Sequence, residues 1–175
     1  MGLEIAEYFA DHLPDWIIYP TGGGTGLVGI WKAFMELSSM GILHDGGQLP
    51  RMVVVQSETC APVVGAFERG DHVVTGITSK GTVADGLDVP GAIMGHEILR
   101  VLKNSNGTAV AVSEKAIVSG YAEFASVGIP AGYEAAATLA ALDRLREAGT
   151  IGLGDRVLVL NTSNPSVALS KAEQD

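Results

Sequence analysis

Apolar positions along this chain alternate between two periods. Trp16-Ile17-Ile18-Tyr19 is a short apolar run that reads as a strand, and Met52-Val53-Val54-Val55, at the centre of 51–56, has the continuously apolar pattern of a strand buried on both faces of a parallel sheet. Thr108-Ala109-Val110-Ala111-Val112 and the run from Arg156 to Leu160 read as two more, so strands are expected over 15–19, 51–56, 108–112 and 156–160. Between them the period lengthens to that of a helix. Residues 2–12 place Ile5 and Phe9 on one face, with Pro14 closing the segment. Further helices are expected over 27–39 and 61–69, and over 91–103 with Ile93, Met94, Ile98, Leu99 and Leu102 as the apolar stripe. Ser113 is placed as the N-cap of the next helix, with Ile117, Tyr121 and Phe124 on one side. An alanine-rich helix over 134–147 turns Leu139, Leu142 and Leu145 inward, and Gly149 stops it. Asp45-Gly46-Gly47 marks a loop, and 70–90 shows no clear period. Strands alternating with helices predict an α/β layered fold with a mostly parallel sheet. It forms one domain over 1–170, with 171–175 as a free tail.

The junction of the first strand and the following helix carries the most chemistry. Thr21-Gly22-Gly23-Gly24-Thr25-Gly26 lies between them. A glycine-rich turn at a helix N-terminus gathers bare backbone N–H groups at the positive end of the helix dipole, which is a site for phosphate. Glycine is required where the backbone adopts positive φ or an anion must approach closely, and Thr25 offers a hydroxyl. Gly24-Thr25-Gly26-Leu27-Val28-Gly29 also satisfies G-x-G-x-x-G, so a dinucleotide site stands as a second reading, with Glu58 after the next strand as the ribose-binding acid. Pro20, Thr21 and two further glycines precede that fingerprint and widen the turn into a cup suited to one terminal phosphate. A turn that binds nothing is the third reading.

Composition narrows the partners. A formal charge of −9 argues against nucleic acid or an anionic membrane, so a phosphate here is held by N–H dipoles rather than by a basic field. Cys60 is the only cysteine, which precludes a disulfide within the chain, and with four scattered histidines it assembles no metal cluster. No stretch approaches the roughly 18 apolar residues of a membrane span, and no signal peptide opens the sequence, so a soluble cytoplasmic protein is expected. His12, His44, His72 and His96 are isolated from any acid–nucleophile pattern and take no role.

The segment from Ile17 through Pro20, the glycine loop and Leu27-Val28-Gly29-Ile30-Trp31-Lys32-Ala33-Phe34 resembles the phosphate loop of the threonine synthases, members of the fold type II pyridoxal-phosphate enzymes. The resemblance continues in order through Pro50-Arg51-Met52-Val53-Val54-Val55-Gln56, Cys60-Ala61-Pro62, Gly86-Leu87-Asp88-Val89-Pro90, Gly107-Thr108-Ala109-Val110-Ala111-Val112-Ser113, the helix from Glu134 to Leu142, and Gly154 to Thr162. It implies pyridoxal phosphate as cofactor, with Gly22, Gly23, Gly24, Thr25 and Gly26 around its phosphate and the Thr162 hydroxyl at its ring nitrogen. A neutral partner there leaves that nitrogen unprotonated and moderates the electron sink. Glu134 matches the glutamate opening the family's alanine-rich helix, and it equally suits the N-terminal end of its helix dipole. Asp85 and Asp88 fall in a stretch that passes near the ring.

The resemblance is to the C-terminal portion alone. The family's cofactor-linked lysine lies in an N-terminal half, whereas Met1-Gly2-Leu3-Glu4-Ile5-Ala6-Glu7 resembles the middle of a full-length enzyme. Lys32, Lys80, Lys103, Lys115 and Lys171 lie in no such context, so no catalytic residue is assigned. Tyr133-Glu134-Ala135 stands where proline-glutamate-glycine is expected, and Thr162-Ser163-Asn164-Pro165-Ser166 replaces a threonine-glycine-rich turn. The function implied is conversion of O-phosphohomoserine to threonine and phosphate once an N-terminal half chain or an oligomeric partner supplies the lysine. A serine/threonine dehydratase fragment and a non-catalytic phosphate-ligand module are the alternatives.

Overall fold

The computed structural model describes residues 1–9, 12–43 and 48–164. His44, the Asp45-Gly46-Gly47 loop and the tail over 171–175 lie outside the described residues. The chain runs α1 (Gly2–Phe9), β1 (Trp16–Pro20), α2 (Thr25–Ser39), β2 (Arg51–Ser57), α3 (Pro62–Arg69), a 3-10 turn (Asp85–Leu87), α4 (Gly95–Asn104), β3 (Thr108–Val112), α5 (Glu114–Ser126), α6 (Tyr133–Glu147) and β4 (Val157–Val159). All four strands are parallel, in the order β3-β2-β1-β4. In register, Ile18 lies between Val53 and Val159, and Val55 pairs with Val110.

Consecutive apolar residues in β1 and β2 feed two cores, because neighbouring side chains leave opposite faces of the pleat. Ile17, Met52 and Val54 pack with Leu27, Ile30, Phe34, Ile98 and Leu102 under α2 and α4. Ile18, Val53 and Val55 pack with Ile117, Ala136, Ala137 and Ala141 under α5 and α6. The result is the expected α/β fold in three layers, with the central strands covered on both sides.

The α4 helix begins four residues later than its apolar pattern suggested. Met94 N–H donates to Gly23 O at 3.1 Å, which holds residues 91–94 as a turn against the glycine loop. Ile93, expected inside, is therefore 83 % exposed, while Ile98 and Leu102 are fully buried. In α6 the inward face is made of Ala135, Ala136, Ala137 and Ala141 with Leu145, whereas Leu139 and Leu142 are only half-buried. Closeness explains the exchange. A Cβ on Gly120 of α5 would lie 2.7 Å from the Ala136 carbonyl oxygen, so the two helices approach to near backbone contact and only small residues fit between them. Ser113 caps α5 as expected, accepting from Ala116 N–H at 3.2 Å.

Glu114, at the first turn of α5, gathers the irregular stretch that showed no sequence period. Its carboxylate accepts from the hydroxyls of Ser57 and Thr82 and from Val83 N–H at 2.8 Å. Burial acts to raise this carboxyl, but the donors from Ser57, Val83, Thr82 and Thr59 together outweigh it and hold the group below its ordinary 4.5. A depressed carboxylate contributes stability that is present above the unfolded-state value and is lost as pH falls through the folded-state value. Glu114→Gln should therefore cost about 1–3 kcal/mol near neutral pH, since an amide presents one acceptor where the carboxylate presents two. In urea denaturation, the gap between parent and variant should close as pH is lowered below the parent's folded-state value. At the α5–α6 contact, Gly120→Val should lower stability by roughly 1–3 kcal/mol through overpacking, read from the same denaturation curves.

Candidate functional site

β1 is flanked by β2, which the chain reaches next through α2, and by β4, which arrives only at the end of the described chain. The strand order reverses between β1 and β4, and in parallel sheets the crevice beyond the carboxyl ends of such strands is where ligands bind. An open cleft of about 380 Å³ lies there, large enough for a cofactor-sized molecule. Tyr19 and Pro20 close it from β1, residues 22–26 form its floor, and Gly86, Leu87, Glu134 and residues 162–164 complete the walls.

The floor is built by one left-handed residue. Gly24 has φ 92° and ψ −3°, which turns the chain out of the loop and into α2, so that Thr25 and Gly26 already belong to the helix. The helix thus starts two residues earlier than its pattern suggested. No side chain caps it, and its first turn holds no acidic residue. Thr21 N–H is spent on Val55 O at 2.8 Å, and Val28 N–H on Gly24 O at 3.0 Å. Between them, no N–H of residues 22–27 donates to an acceptor among the described residues, and of these Gly22, Gly23, Gly24, Thr25 and Gly26 line the cleft. Five consecutive free donors at the positive end of a 15-residue helix make an anion cradle.

Close packing holds the cradle in place. A Cβ on Gly22 would lie 2.4 Å from Gly86 O, and one on Gly24 would lie 2.3 Å from Ile98 Cδ1. Gly86 in turn donates its N–H to Glu134 Oε1 at 2.9 Å, which joins the floor to the start of α6. Gln56, fully buried, receives Val63 N–H at 2.9 Å and Val64 N–H at 3.2 Å, so it caps α3. Its amide nitrogen donates to Thr21 O at 3.3 Å and fixes the entry to the loop. On the far wall, Asn161 Nδ2 donates to Pro130 O at 2.9 Å, and Ser163 Oγ accepts Ala135 N–H at 3.3 Å. These neighbours leave Thr162 between them on the cleft wall.

The sequence-derived residues Gly22, Gly23, Gly24, Thr25, Gly26 and Thr162 thus line a single cleft, with Glu134 beside them. Tyr19, Gly86, Leu87, Ser163 and Asn164 join them, though no sequence pattern singled them out for the site. Asp85 lies in the 3-10 turn behind the wall, and Asp88 is hydrogen-bonded to Ser79. The dinucleotide reading fails on two residues. Glu58 lines a different groove, 3.5 Å from Arg144, and a Cβ on Gly29 would meet nothing within 4 Å, so the third glycine serves no helix–strand contact.

Among the described residues, Glu134 is the only charged side chain on the cleft wall, and no lysine lines it. Lys32 pairs with Glu36 on the outer face of α2. Cys60 is buried, and that burial, reinforced by Asp88, pushes its thiol up against smaller opposing effects of Ser79 and Val89. A thiol raised in this way is inert rather than nucleophilic. The described residues thus offer the cleft free N–H donors, hydroxyls and one carboxylate, without a lysine or cysteine on its wall. No described group of histidine, cysteine and carboxylate side chains could hold a metal ion, and no described helix is long and apolar enough to cross a membrane.

Known proteins agree with this architecture. The chain is 29 % identical over 165 residues to a threonine synthase from Methanosarcina acetivorans and 26 % identical over 179 residues to one from Methanocaldococcus jannaschii. These matches take in 94 % and 99 % of the chain but only 40 % and 44 % of the relatives' length. Among solved structures, a fungal L-serine ammonia-lyase from Rhizomucor miehei superposes with a TM-score of 0.74 at 20 % identity, covering 99 % of this chain and 52 % of that one. Residues 1–163 match the family described as pyridoxal-phosphate dependent enzyme, and the chain belongs to that family.

Proposed function

We propose that this chain is the phosphate-cradle portion of a threonine synthase-like enzyme acting on O-phosphohomoserine and releasing threonine and phosphate. The observation that carries the reading is the set of five free N–H groups over residues 22–26 at the head of α2. Pyridoxal phosphate is the cofactor of the family. The residues present fit its phosphate end: the floor admits an anion where any Cβ on Gly22, Gly24 or Gly26 would collide with surrounding atoms. When bound, the cofactor supplies an electron sink for carbanion chemistry at the amino-acid substrate.

The chain's own residues bind and orient. The N–H groups of residues 22–26 hold the phosphate by dipoles, since no cationic side chain among the described residues lines the cleft. Thr162 offers a neutral hydroxyl to the ring nitrogen, and Glu134, tied to Gly86 N–H, keeps the wall of the cleft against the floor. Proton abstraction at the substrate's reacting carbons needs a lysine in the cleft. In this reading the lysine comes from outside these 175 residues, on an N-terminal half chain or an oligomeric partner in the cytoplasm. The outer sides of β3 and β4 carry no further strand among the described residues, and such edges are open to pairing.

Two adjacent glycines separate binding from folding. Gly23 has space, with Ile93 Cδ1 at 4.0 Å the nearest atom to a built Cβ, whereas Gly24 combines positive φ with a clash on Ile98. Gly23→Val should leave the thermal midpoint near that of the parent yet weaken pyridoxal-phosphate binding at least tenfold in a fluorescence titration. Gly24→Val should lower both. Equal affinity in the Gly23 variant and the parent would make the loop a plain turn.

Activity is tested by mixing the chain with a lysine-bearing N-terminal half of a threonine synthase. Phosphate release from O-phosphohomoserine is the expected result, with none from the chain alone. Deamination of threonine without phosphate release would assign the dehydratase reaction instead. Cofactor binding without either reaction would leave a non-catalytic binding module.

A further inference from the structure

We infer that the phenolic hydroxyl of Tyr19 is a sixth donor of the cradle, hydrogen-bonding the bound phosphate beside the N–H groups of residues 22–26. The inference rests on the phosphate reading above and extends it to a side chain on β1. Tyr19 occupies the same face of the strand as Ile17, and its ring packs against the core beneath α2. That packing fixes the direction in which the ring projects, and its end lies in the cleft. A Cβ on Gly26 would stand 1.9 Å from the Tyr19 hydroxyl oxygen and 2.5 Å from Cζ. Gly26 is not a residue of positive φ. Its lack of a side chain is explained by the space the phenol occupies over the first turn of α2.

The hydroxyl makes no hydrogen bond to any described residue of the chain, although five free N–H donors line the floor beneath it. Burial pushes its ionisation upward, so the group remains a protonated donor across the physiological range. An aromatic ring held in a core with its polar end in a cleft is a preorganised donor, and it loses little freedom when it binds. No lysine or arginine among the described residues lines the cleft, and a donor of this kind adds to a phosphate site without adding charge.

The test compares the parent chain with Tyr19→Phe, with Gly23→Val as the cradle control and with Tyr8→Phe, a fully exposed tyrosine on α1, as the neutral control. Calorimetric titration with inorganic phosphate, pyridoxal phosphate and unphosphorylated pyridoxal gives the affinities. Tyr19→Phe should weaken phosphate and pyridoxal phosphate roughly tenfold or more, the size of one hydrogen bond to a charged group. Pyridoxal affinity and the thermal midpoint should not move. In the parent, saturating phosphate should shift the ionisation of one tyrosine to higher pH in an absorbance titration, and that shift should be missing in Tyr19→Phe. Tyr19 is the only one of the four tyrosines that lines the cleft among the described residues, so a phosphate-dependent shift that persists in Tyr8→Phe is assigned to it even where Tyr19→Phe is unstable. If Tyr19→Phe binds both phosphates like the parent while Gly23→Val loses them, the hydroxyl is no ligand and the cradle stands without it. A parent chain that binds neither phosphate overturns the cradle and this inference together.

Discussion

The structure around the cleft depends on one backbone constraint, the left-handed turn at Gly24. Folding normally pairs backbone donors, and a buried N–H left unpaired costs about 1–3 kcal/mol. Here the turn starts α2 directly beyond the loop, so no preceding carbonyl falls within helical reach of residues 22–26 and no capping side chain takes their place. The donors avoid that cost only by opening onto a cleft, where solvent or an anion can satisfy them. The neighbouring elements accommodate this turn: Ile98 of α4 fits against Gly24, Gly86 O against Gly22 and the Tyr19 phenol against Gly26. Each contact leaves no room for a Cβ, so the three glycines are required by packing, and Gly24 by its positive φ as well.

Rigidity at the cleft comes from polar groups that work in pairs across distant segments. Gln56 satisfies the first N–H groups of α3 and the Thr21 carbonyl with one side chain, and this sets the position of the loop relative to β2. Asn161 and Ser163 anchor the segment after β4 to the 130–135 segment, which orients the residue between them. Glu134 closes the circuit through Gly86. None of these groups needs to touch a ligand to control its geometry, and a cradle of N–H dipoles requires such control because dipoles act over a shorter range than charges.

Much of this was legible in the sequence, for a physical reason. Strands buried on both faces must be apolar at successive positions, so Met52-Val53-Val54-Val55 and Trp16-Ile17-Ile18 identify themselves. The glycine loop was equally plain, and the ordered resemblance brought Thr162 to the same place. The helix faces were less legible. Alanine carries little hydrophobic contrast, so the inward face of α6 looked like its leucines until the near contact of Gly120 with Ala136 showed that space, rather than hydrophobicity, selects residues there. Ile93 continued an apolar period that a hydrogen bond from Met94 to the glycine loop had already interrupted. Gln56 and Tyr19 left no pattern of this kind. A glutamine ending a strand and a tyrosine beside a proline acquire their roles only when β1, β2 and α3 meet.

The composition of the cleft argues for a division of labour within the family's architecture. A catalytic lysine must change its protonation state during turnover, so it responds to every nearby charge. Among the described residues, the cleft offers uncharged N–H groups on its floor, and its walls carry hydroxyls and one carboxylate that is itself hydrogen-bonded. In the proposed reading, a lysine brought into it would meet the phosphate and Glu134, but no competing cation from the described residues. A dipolar cradle of that kind would leave the local field to be set by the ligand and by whatever segment supplies the base.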